Sequence, residues 1–199
     1  MDEVLTFILA FVAGDMHPAA FRDRLYEDDR FEPLLCNDPH LRPGNYVNGS
    51  AFHFLLALDF DDPGDVLNAQ GALADFMDRN GITYSRTTRY QDFYDMVLEA
   101  QPRWLGVDAK WIRDNILCEA GNRQGQELVQ WLRQELPKRF RSVAEPPCWI
   151  QSPEWPINEN GPLIFLGELE VREYFHDVAA VYVFHDPVSG KCETVIQVN

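Results

Sequence analysis

The pattern of apolar residues changes once along the chain, near Glu145–Pro147, and this change constrains the fold more than any other feature. Before it, apolar residues recur every three or four positions, as on one face of an α-helix. After it, short β-branched and aromatic segments alternate with turn residues, as in β-strands. Between the two patterns, residues 146–157 are too rich in proline for regular structure. We therefore predict an α+β fold in which a mainly helical body, residues 1–145, precedes a small antiparallel sheet within residues 146–199, packed as one globular unit.

Start and stop signals divide the helical part into separate helices. Gly14 follows an almost wholly apolar first helix, Pro18 begins the second, and Asp108 caps a later one. Residues 51–58 are apolar, and their pattern fits either a helix or a strand. We predict helices over residues 4–12, 18–27, 63–79, 90–100, 108–118 and 124–141, and strands over residues 163–171, 179–185 and 193–198, with a hairpin turn at Asp186–Gly190.

The charge balance limits the kinds of partner that this chain can bind. Asp and Glu number 32 against 17 Lys and Arg, which gives a formal net charge of −15. Nucleic acid is a poor partner because its phosphates would be repelled, whereas a basic protein would be attracted. The alternative is that the acidity serves only solubility. Residues 1–100 hold 18 acidic and 7 basic residues, a net of −11, and residues 101–199 hold 14 and 10, a net of −4, so a docking face based on charge belongs in the first half.

Neither the cysteines nor the N-terminal segment indicates an exported protein. The four cysteines are widely spaced and lack a CxxC pair, so we expect small buried residues rather than disulfides, metal ligands or nucleophiles. The apolar run at residues 4–13 follows two acidic residues, where a signal peptide would be basic, and it is too short to span a bilayer. We predict a cytoplasmic protein that binds no membrane and no cofactor.

The sequence holds few candidates for catalysis. It contains no phosphate-binding loop, dinucleotide fingerprint, nucleophile elbow or HExxH motif. Glu168 and Glu170 share one face of a predicted strand and could act as an acid–base pair. We interpret them instead as the solvent side of that strand, with Leu169 and Val171 turned toward the core.

Two further groups of polar residues have structural explanations. His176–Asp177 and His185–Asp186 flank a predicted strand, which would place them about 25–30 Å apart, too far to share one site. A run of four aspartates does not match the spacing of a calcium-binding loop and instead suits a helix N-terminus. These are Asp59, Asp61, Asp62 and Asp65.

Two tryptophans, Trp149 and Trp155, bracket a short Pro-containing segment. Such a segment could hold a ligand between its rings. We favour a structural role, in which each ring buries about 150–250 Å² and fastens helices onto the sheet.

The Trp-rich segment also carries a specific string, Trp-Ile-Gln-Ser-Pro-Glu-Trp-Pro, at residues 149–156, followed by Gly-Pro-Leu-Ile-Phe-Leu-Gly at residues 161–167. With His176-Asp177 and the Val-Tyr-Val-Phe string at residues 181–184, it resembles a family of bacterial immunity proteins encoded beside polymorphic toxins, including Rhs-type toxins delivered by type VI secretion. Weaker matches extend the resemblance over nearly the whole chain, at residues 25–28, 101–105 and 131–132.

This resemblance implies inhibition by binding, without catalysis. The partner would be a cognate toxin domain, basic and bound one to one, of the nuclease, ADP-ribosyltransferase or NAD-degrading type. The candidate contacts are the acidic residues of the first half and an exposed aromatic anchor: Glu27, Asp28, Asp29, Asp59, Asp61, Asp62 and Asp65, with Tyr46 or Tyr90. The shared motif is expected to be scaffold, through Trp149, Gln151, Pro153, Glu154 and Trp155.

Two other classes of function remain open from the residues alone. One is a small hydrolase or nucleotide-processing enzyme that uses Glu168, Glu170 or His176. The other is a structural or regulatory module that dimerises through the apolar first helix.

Overall fold

The computed structural model describes residues 3–38, 50–171 and 178–199. These residues form eight α-helices followed by a three-stranded antiparallel sheet, so the predicted α+β class is confirmed. Internal packing divides the chain into two compact units, Met1–Asp95, here called the helical unit, and Met96–Asn199, the sheet unit. Throughout the described ranges, no helix has the length and apolar character needed to cross a membrane.

The helices of the helical unit begin and end close to the predicted positions. The Asp62 side chain accepts hydrogen bonds from Gly64 N and Asp65 N, at 2.7 and 3.0 Å, and therefore caps the fifth helix. The ambiguous segment after residue 50 is helical, capped by Ser50. The helices are α1 (Glu3–Ala13), α2 (Pro18–Glu27), α3 (Phe31–Cys36), α4 (Ala51–Leu56) and α5 (Pro63–Arg79), and α6 (Arg89–Ala100) crosses into the sheet unit.

Gly14 ends α1 in a conformation that other residues rarely adopt. Its φ is +85°, and a Cβ at this position would lie 2.9 Å from the Thr87 side chain. Thr87 N also donates to Val12 O at 3.0 Å, which brings this chain segment against the end of α1. The stop predicted at Gly14 therefore reflects both backbone conformation and close packing.

Phenylalanine rings form the centre of the helical unit. Phe11 of α1 and Phe21 of α2 stack with ring centroids 4.3 Å apart, and Phe31 and Phe60 contact Phe21 at 5.8 Å. All four are at most 4% exposed. Burial of these rings stabilises the packing of α1, α2, α3 and the loop before α5.

The sheet unit combines two helices with the strands. α7 (Ala109–Asn115) is capped by Asp108, as predicted, and a 3-10 turn at Leu117–Glu119 follows it. α8 (Gly125–Arg139) buries Val129, Leu132 and Leu136. A two-residue hairpin that the sequence analysis did not predict, β1 (Ile157–Asn158) with β2 (Gly161–Pro162), precedes the sheet.

The main sheet has the order β3-β4-β5, with both neighbouring pairs antiparallel. Its inner face packs Phe165, Tyr182 and Phe184 into the core. The Asp186–Gly190 turn joins the last two strands, as predicted, with Gly190 N donating to Asp186 O. The strands are β3 (Ile164–Glu170), β4 (Ala179–His185) and β5 (Cys192–Val198).

An irregularity in β3 overturns the predicted orientation of its side chains. Leu169 was expected to face the core but is 64% exposed, whereas Glu168 is exposed, as expected, although it pairs with the buried Tyr182 on the inner face. The cause is a register shift between Phe165 and Gly167, because one extra residue moves the following side chains to the opposite face.

The Trp-rich segment lies across the inner face of the sheet. Trp155 is 7% exposed, and its ring lies 5.6 Å from Phe140, just after α8, and 5.3 Å from Phe184 of β4. Trp149 packs 4.4 Å from Tyr182. Both tryptophans therefore pack against aromatic side chains of the sheet.

The division into units differs from the boundary that composition suggested near residue 145. Trp111 of α7 lies 5.4 Å from Phe140, which contacts Trp155 in turn, so α7 and α8 share a core with the sheet. The predicted helical body of residues 1–145 therefore extends over both units, because ring contacts rather than secondary-structure type decide where packing is densest.

Candidate partner-binding surface

The first acidic segment, Asp59–Asp65, is a loop fastened to the core by one ring. Phe60 is 4% exposed and contacts the Phe11 and Phe21 rings at 6.0 and 5.8 Å. The loop closes on itself, because Asp59 N donates to Asp65 Oδ2 and Asp61 N donates to Asp59 Oδ1, both at 2.9 Å. Asp59 and Asp61 are exposed, while Asp62 and Asp65 are half-buried.

The second acidic segment, Glu27–Asp29, follows the end of α2. Glu27 and Asp29 are exposed. Asp28 is held by Arg30, whose Nε and Nη2 atoms donate to its carboxylate at 2.8 and 2.7 Å. The hydrogen bonds and charge of Arg30 lower the pKa of Asp28 to about 2. Asp28 therefore stabilises the turn after α2 through Arg30, and its side chain is only 14% exposed.

Contacts from α2 bring the two acidic segments together. Tyr26, which precedes Glu27 in the chain, donates from its Oη to Leu56 O at 3.1 Å. Asp23 raises the pKa of the Arg22 guanidinium through a hydrogen bond and its charge, and Asp59 adds to that rise. Residues 22–30 and 59–65 together, here called the acidic surface, hold eight carboxylates and three guanidiniums, a local net charge of −5.

The structure separates the predicted acidic residues into two groups. Glu27, Asp29, Asp59 and Asp61 are exposed, although Asp59 also accepts from Asp61 N, whereas Asp28, Asp62 and Asp65 are half-buried and bind to groups of the chain itself. All seven stay candidate contacts, and the first four are the most accessible to a partner.

The structure describes one of the two predicted aromatic anchors, Tyr90. Tyr46 falls outside the described residues. Tyr90 is half-buried against the core of the helical unit, and this burial raises the pKa of its hydroxyl. Tyr26, which was not among the predicted anchors, is 60% exposed, and its hydroxyl donates to Leu56 O. Helical spacing could have found it, because Phe21 and Leu25 mark the core face of α2 and Tyr26 falls beside that face.

The carboxylates of the alternative, enzymatic interpretation have structural partners. Glu168 Oε2 accepts a hydrogen bond from Cys148 N at 2.8 Å, so it holds the Trp-rich segment on the sheet. Glu170 is exposed, and the His176–Asp177 pair lies outside the described residues. No described contact joins Glu168 to a histidine or a nucleophile.

Asp186 likewise organises a turn. Its carboxylate accepts from Ser189 Oγ at 2.7 Å, Val188 N at 2.8 Å and Asn158 Nδ2 at 3.0 Å. These hydrogen bonds, led by that of Ser189, lower the pKa of Asp186 to about 2. The carboxylate lines an open cleft of about 520 Å³ together with Lys191 and Cys192, but its oxygens are taken by the turn.

The cysteines are more exposed than predicted. Cys118, Cys148 and Cys192 are exposed and Cys36 is half-buried. Cys192 begins the edge strand β5, and Cys148 lies in the Trp-rich segment, outside any helix or strand. Within the described ranges, no three metal-ligating side chains converge.

Comparison of the chain with protein-family models, with curated proteins and with solved structures found no match.

Proposed function

We propose that this chain is a cytoplasmic immunity protein that binds and neutralises a basic toxin domain by covering its active or substrate-binding site. The chain performs no catalysis of its own. The toxin acts on nucleic acid or nucleotides, as a nuclease, an ADP-ribosyltransferase or an NAD-degrading enzyme, and binds one to one.

The observation that carries this proposal is the acidic surface itself. Four of its carboxylates are exposed, those of Glu27, Asp29, Asp59 and Asp61, and the ring of Tyr26, next to Glu27 in the chain, is also exposed. An aromatic ring within a field of one sign of charge is a common form of interface anchor, because the ring supplies buried area while the charges steer association. The sequence string at residues 149–156 supports the class of partner, and the net charge of −15 supports its sign.

The experiment uses the reading frame that neighbours the gene for this chain. The C-terminal domain encoded by that reading frame is co-expressed with this chain. The complex is then purified, and its molar mass is measured by light scattering. We expect a one-to-one complex and survival of cells that die when the domain is expressed alone. A neighbouring domain that neither binds nor kills would contradict the proposal as a whole.

Charge-reversal variants test where the toxin binds. We expect Glu27→Lys with Asp29→Lys to slow association about ten-fold or more at low salt, because steering by opposite charge is lost. The matched control is Glu145→Lys with Glu159→Lys, which makes the same change of charge at two exposed positions of the sheet unit. Equal slowing by both pairs would show that total charge, rather than the acidic surface, governs association.

The aromatic anchor is tested separately. We expect Tyr26→Ala to raise the dissociation rate of the complex by at least ten-fold, because truncation of an interface hot spot costs about 2 kcal/mol or more. Tyr26→Phe keeps the ring and is expected to dissociate nearly as slowly as the natural chain. A Tyr26→Ala complex of unchanged lifetime would remove Tyr26 from the interface.

A further inference from the structure

The strand β5 is an edge of the main sheet as described, and it lacks two of the features that normally protect such an edge, a proline and a bulge. Among the described residues, β4 is the only strand paired with it. β5 contains no proline, and its register with β4 runs without a shift from Cys192 to Val198. The opposite edge is protected, since β3 contains a bulge and Val143 N and Arg141 O bond to Phe165.

The register shows which backbone groups of β5 face outward. Asn199 N donates to Val178 O at 2.9 Å, so the odd-numbered residues of β5 direct their N–H and C=O groups toward β4. Val198, Ile196, Thr194 and Cys192 therefore direct theirs away from β4. Val198 O accepts from Gln151 Nε2 at 2.6 Å, which confirms this orientation and closes one end of the edge. Thr194 and Ile196 remain at its centre.

A second copy of β5 fits this edge without placing like charges together. In an antiparallel pairing with its two-fold axis at Val195, Thr194 of each copy exchanges hydrogen bonds with Ile196 of the other. Glu193, the only charged residue of β5, then lies opposite Gln197. The two Glu193 side chains are about 14 Å apart, beyond the Debye length of about 8 Å at physiological salt.

Other registers and other parts of the chain are less suitable for self-pairing. An axis at Thr194 would place the two Glu193 residues on a diagonal, about 7–8 Å apart. The edge also lies in the half of the chain with a net charge of −4, against −11 for residues 1–100. α1, which the sequence offered for dimerisation, buries Val4, Ile8, Phe11 and Val12 within its own unit.

We propose that two copies of this chain associate through antiparallel pairing of their β5 strands about Val195, which joins the two sheets into one of six strands. This association is independent of toxin binding. The paired backbone groups all belong to residues 192–198, and none of them belongs to the acidic surface. Like-charge repulsion between copies opposes it, so the dimer strengthens with salt, whereas binding of a basic toxin weakens.

Sedimentation equilibrium at about 100 μM chain tests the association, in low salt and in 0.5 M NaCl. We expect a mass of twice 23.0 kDa at the higher salt. Thr194→Pro removes an N–H that points away from β4 and is expected to weaken dimerisation at least ten-fold. Thr194→Val keeps that N–H and should dimerise like the natural chain. Circular dichroism checks that both variants are folded.

Disulfide cross-linking tests the register, in a background with all four natural cysteines replaced by serine. Val195→Cys places two sulfur atoms across the axis, where opposed Cα atoms are about 4.5 Å apart, within the range of a disulfide. Thr194→Cys is the matched control, because its two copies lie about 8 Å apart on a diagonal. We expect rapid oxidation to a covalent dimer only for Val195→Cys.

Three results would overturn the proposal. The first is a chain that is monomeric at every concentration and salt, and the second is a dimer that Thr194→Pro leaves intact. The third is a monomer whose toxin complex is lost on Thr194→Pro, which would assign the edge to a strand of the toxin. Equal cross-linking by the two cysteine variants would overturn the register.

Discussion

The helical unit and the sheet unit satisfy their buried polar groups in different ways. In the helical unit, the backbone groups of the helices bond to each other within each helix. The fully buried Gln70 donates from its Nε2 to Phe11 O at 3.1 Å. No donor among the described residues reaches Gln70 Oε1. In the sheet unit, the buried Gln197 accepts from Gln151 N at 3.0 Å and donates to Ser152 O at 2.8 Å.

The difference follows from the irregular Trp-rich segment, whose backbone has no strand or helix to pair with. Tyr182 Oη donates to Cys148 O and accepts from Ile150 N, at 3.0 and 2.9 Å. With Gln197 and Glu168, Tyr182 supplies the hydrogen bonds that regular structure would otherwise supply. The helical unit therefore depends mainly on filled volume, and the sheet unit depends in addition on particular polar atoms.

The largest expected effects come from removing one central ring of each unit. Phe21→Ala and Trp155→Ala should each lower the free energy of unfolding by about 3–5 kcal/mol in urea titrations. Because each ring belongs to one core, hydrogen exchange should accelerate in α1, α2 and α5 for the first variant and in β3–β5 for the second. Equal acceleration everywhere in both variants would show that the chain unfolds as one cooperative unit.

The two buried glutamines test the comparison most directly. Gln197→Leu leaves Gln151 N and Ser152 O without their partner and is expected to cost about 2–4 kcal/mol. Gln70→Leu removes a half-satisfied amide, while Phe11 O keeps the hydrogen bond from Gly14 N at 3.1 Å. We expect its cost to stay within about 1 kcal/mol. Similar costs at both positions would remove the distinction between the units.

The sequence predicted the helix ends of the helical unit better than it predicted the side-chain orientation of β3 in the sheet unit. Helix ends depend on local signals, and Gly14, Pro18 and Pro63 mark them directly. The bulge in β3 has no such local signal. It arises where Phe165 and Phe184 pack together while the following residues pair with a shifted register, and only the partner strand shows this.

The candidate surface was predictable in charge but not in detail. Composition located the acidity in the first half, and the Asp59–Asp65 loop and the end of α2 indeed lie together. The sequence could not show that Arg30 holds Asp28 or that Asp62 caps α5, because these roles depend on hydrogen-bond geometry. It predicted Tyr46 or Tyr90 as the aromatic anchor, whereas the exposure of Tyr26 is visible only in the folded chain.

A smaller effect separates structural from exposed carboxylates in the acidic loop. Asp62→Ala removes the cap of α5 and is expected to lower the free energy of unfolding by about 1 kcal/mol. Asp61→Ala, at an exposed neighbour of the same charge, should change it by no more than about 0.5 kcal/mol. Thermal unfolding of both variants measures the two changes in the free energy of unfolding. A larger loss at Asp61 would mean that the loop, and not the helix cap, is the sensitive element.

The smallest effect concerns two carboxylates whose pKa is lowered to about 2 for different reasons. Asp28 of the helical unit bonds to the charged Arg30, and Asp186 of the sheet unit bonds to the neutral groups of Ser189, Val188 and Asn158. Salt screens the attraction between Asp28 and the charged Arg30, but it does not screen the hydrogen bonds from neutral groups to Asp186. In an NMR titration, raising NaCl from 20 mM to 0.5 M should therefore raise the pKa of Asp28 by several tenths of a unit and leave that of Asp186 nearly unchanged.

Both carboxylates have a folded pKa below the unfolded value of about 3.9, so each stabilises the fold above about pH 4 and loses that contribution as the pH falls toward 2. Salt should consequently reduce the contribution of Asp28 to the free energy of unfolding and leave the contribution of Asp186 nearly unchanged. Arg30→Gln and Ser189→Ala are the matched controls, and each should raise the pKa of its own aspartate alone. An Asp186 that follows salt as closely as Asp28 would show that charge, rather than the hydrogen bonds of the turn, sets its pKa, and the contrast between the two units would not extend to their surfaces.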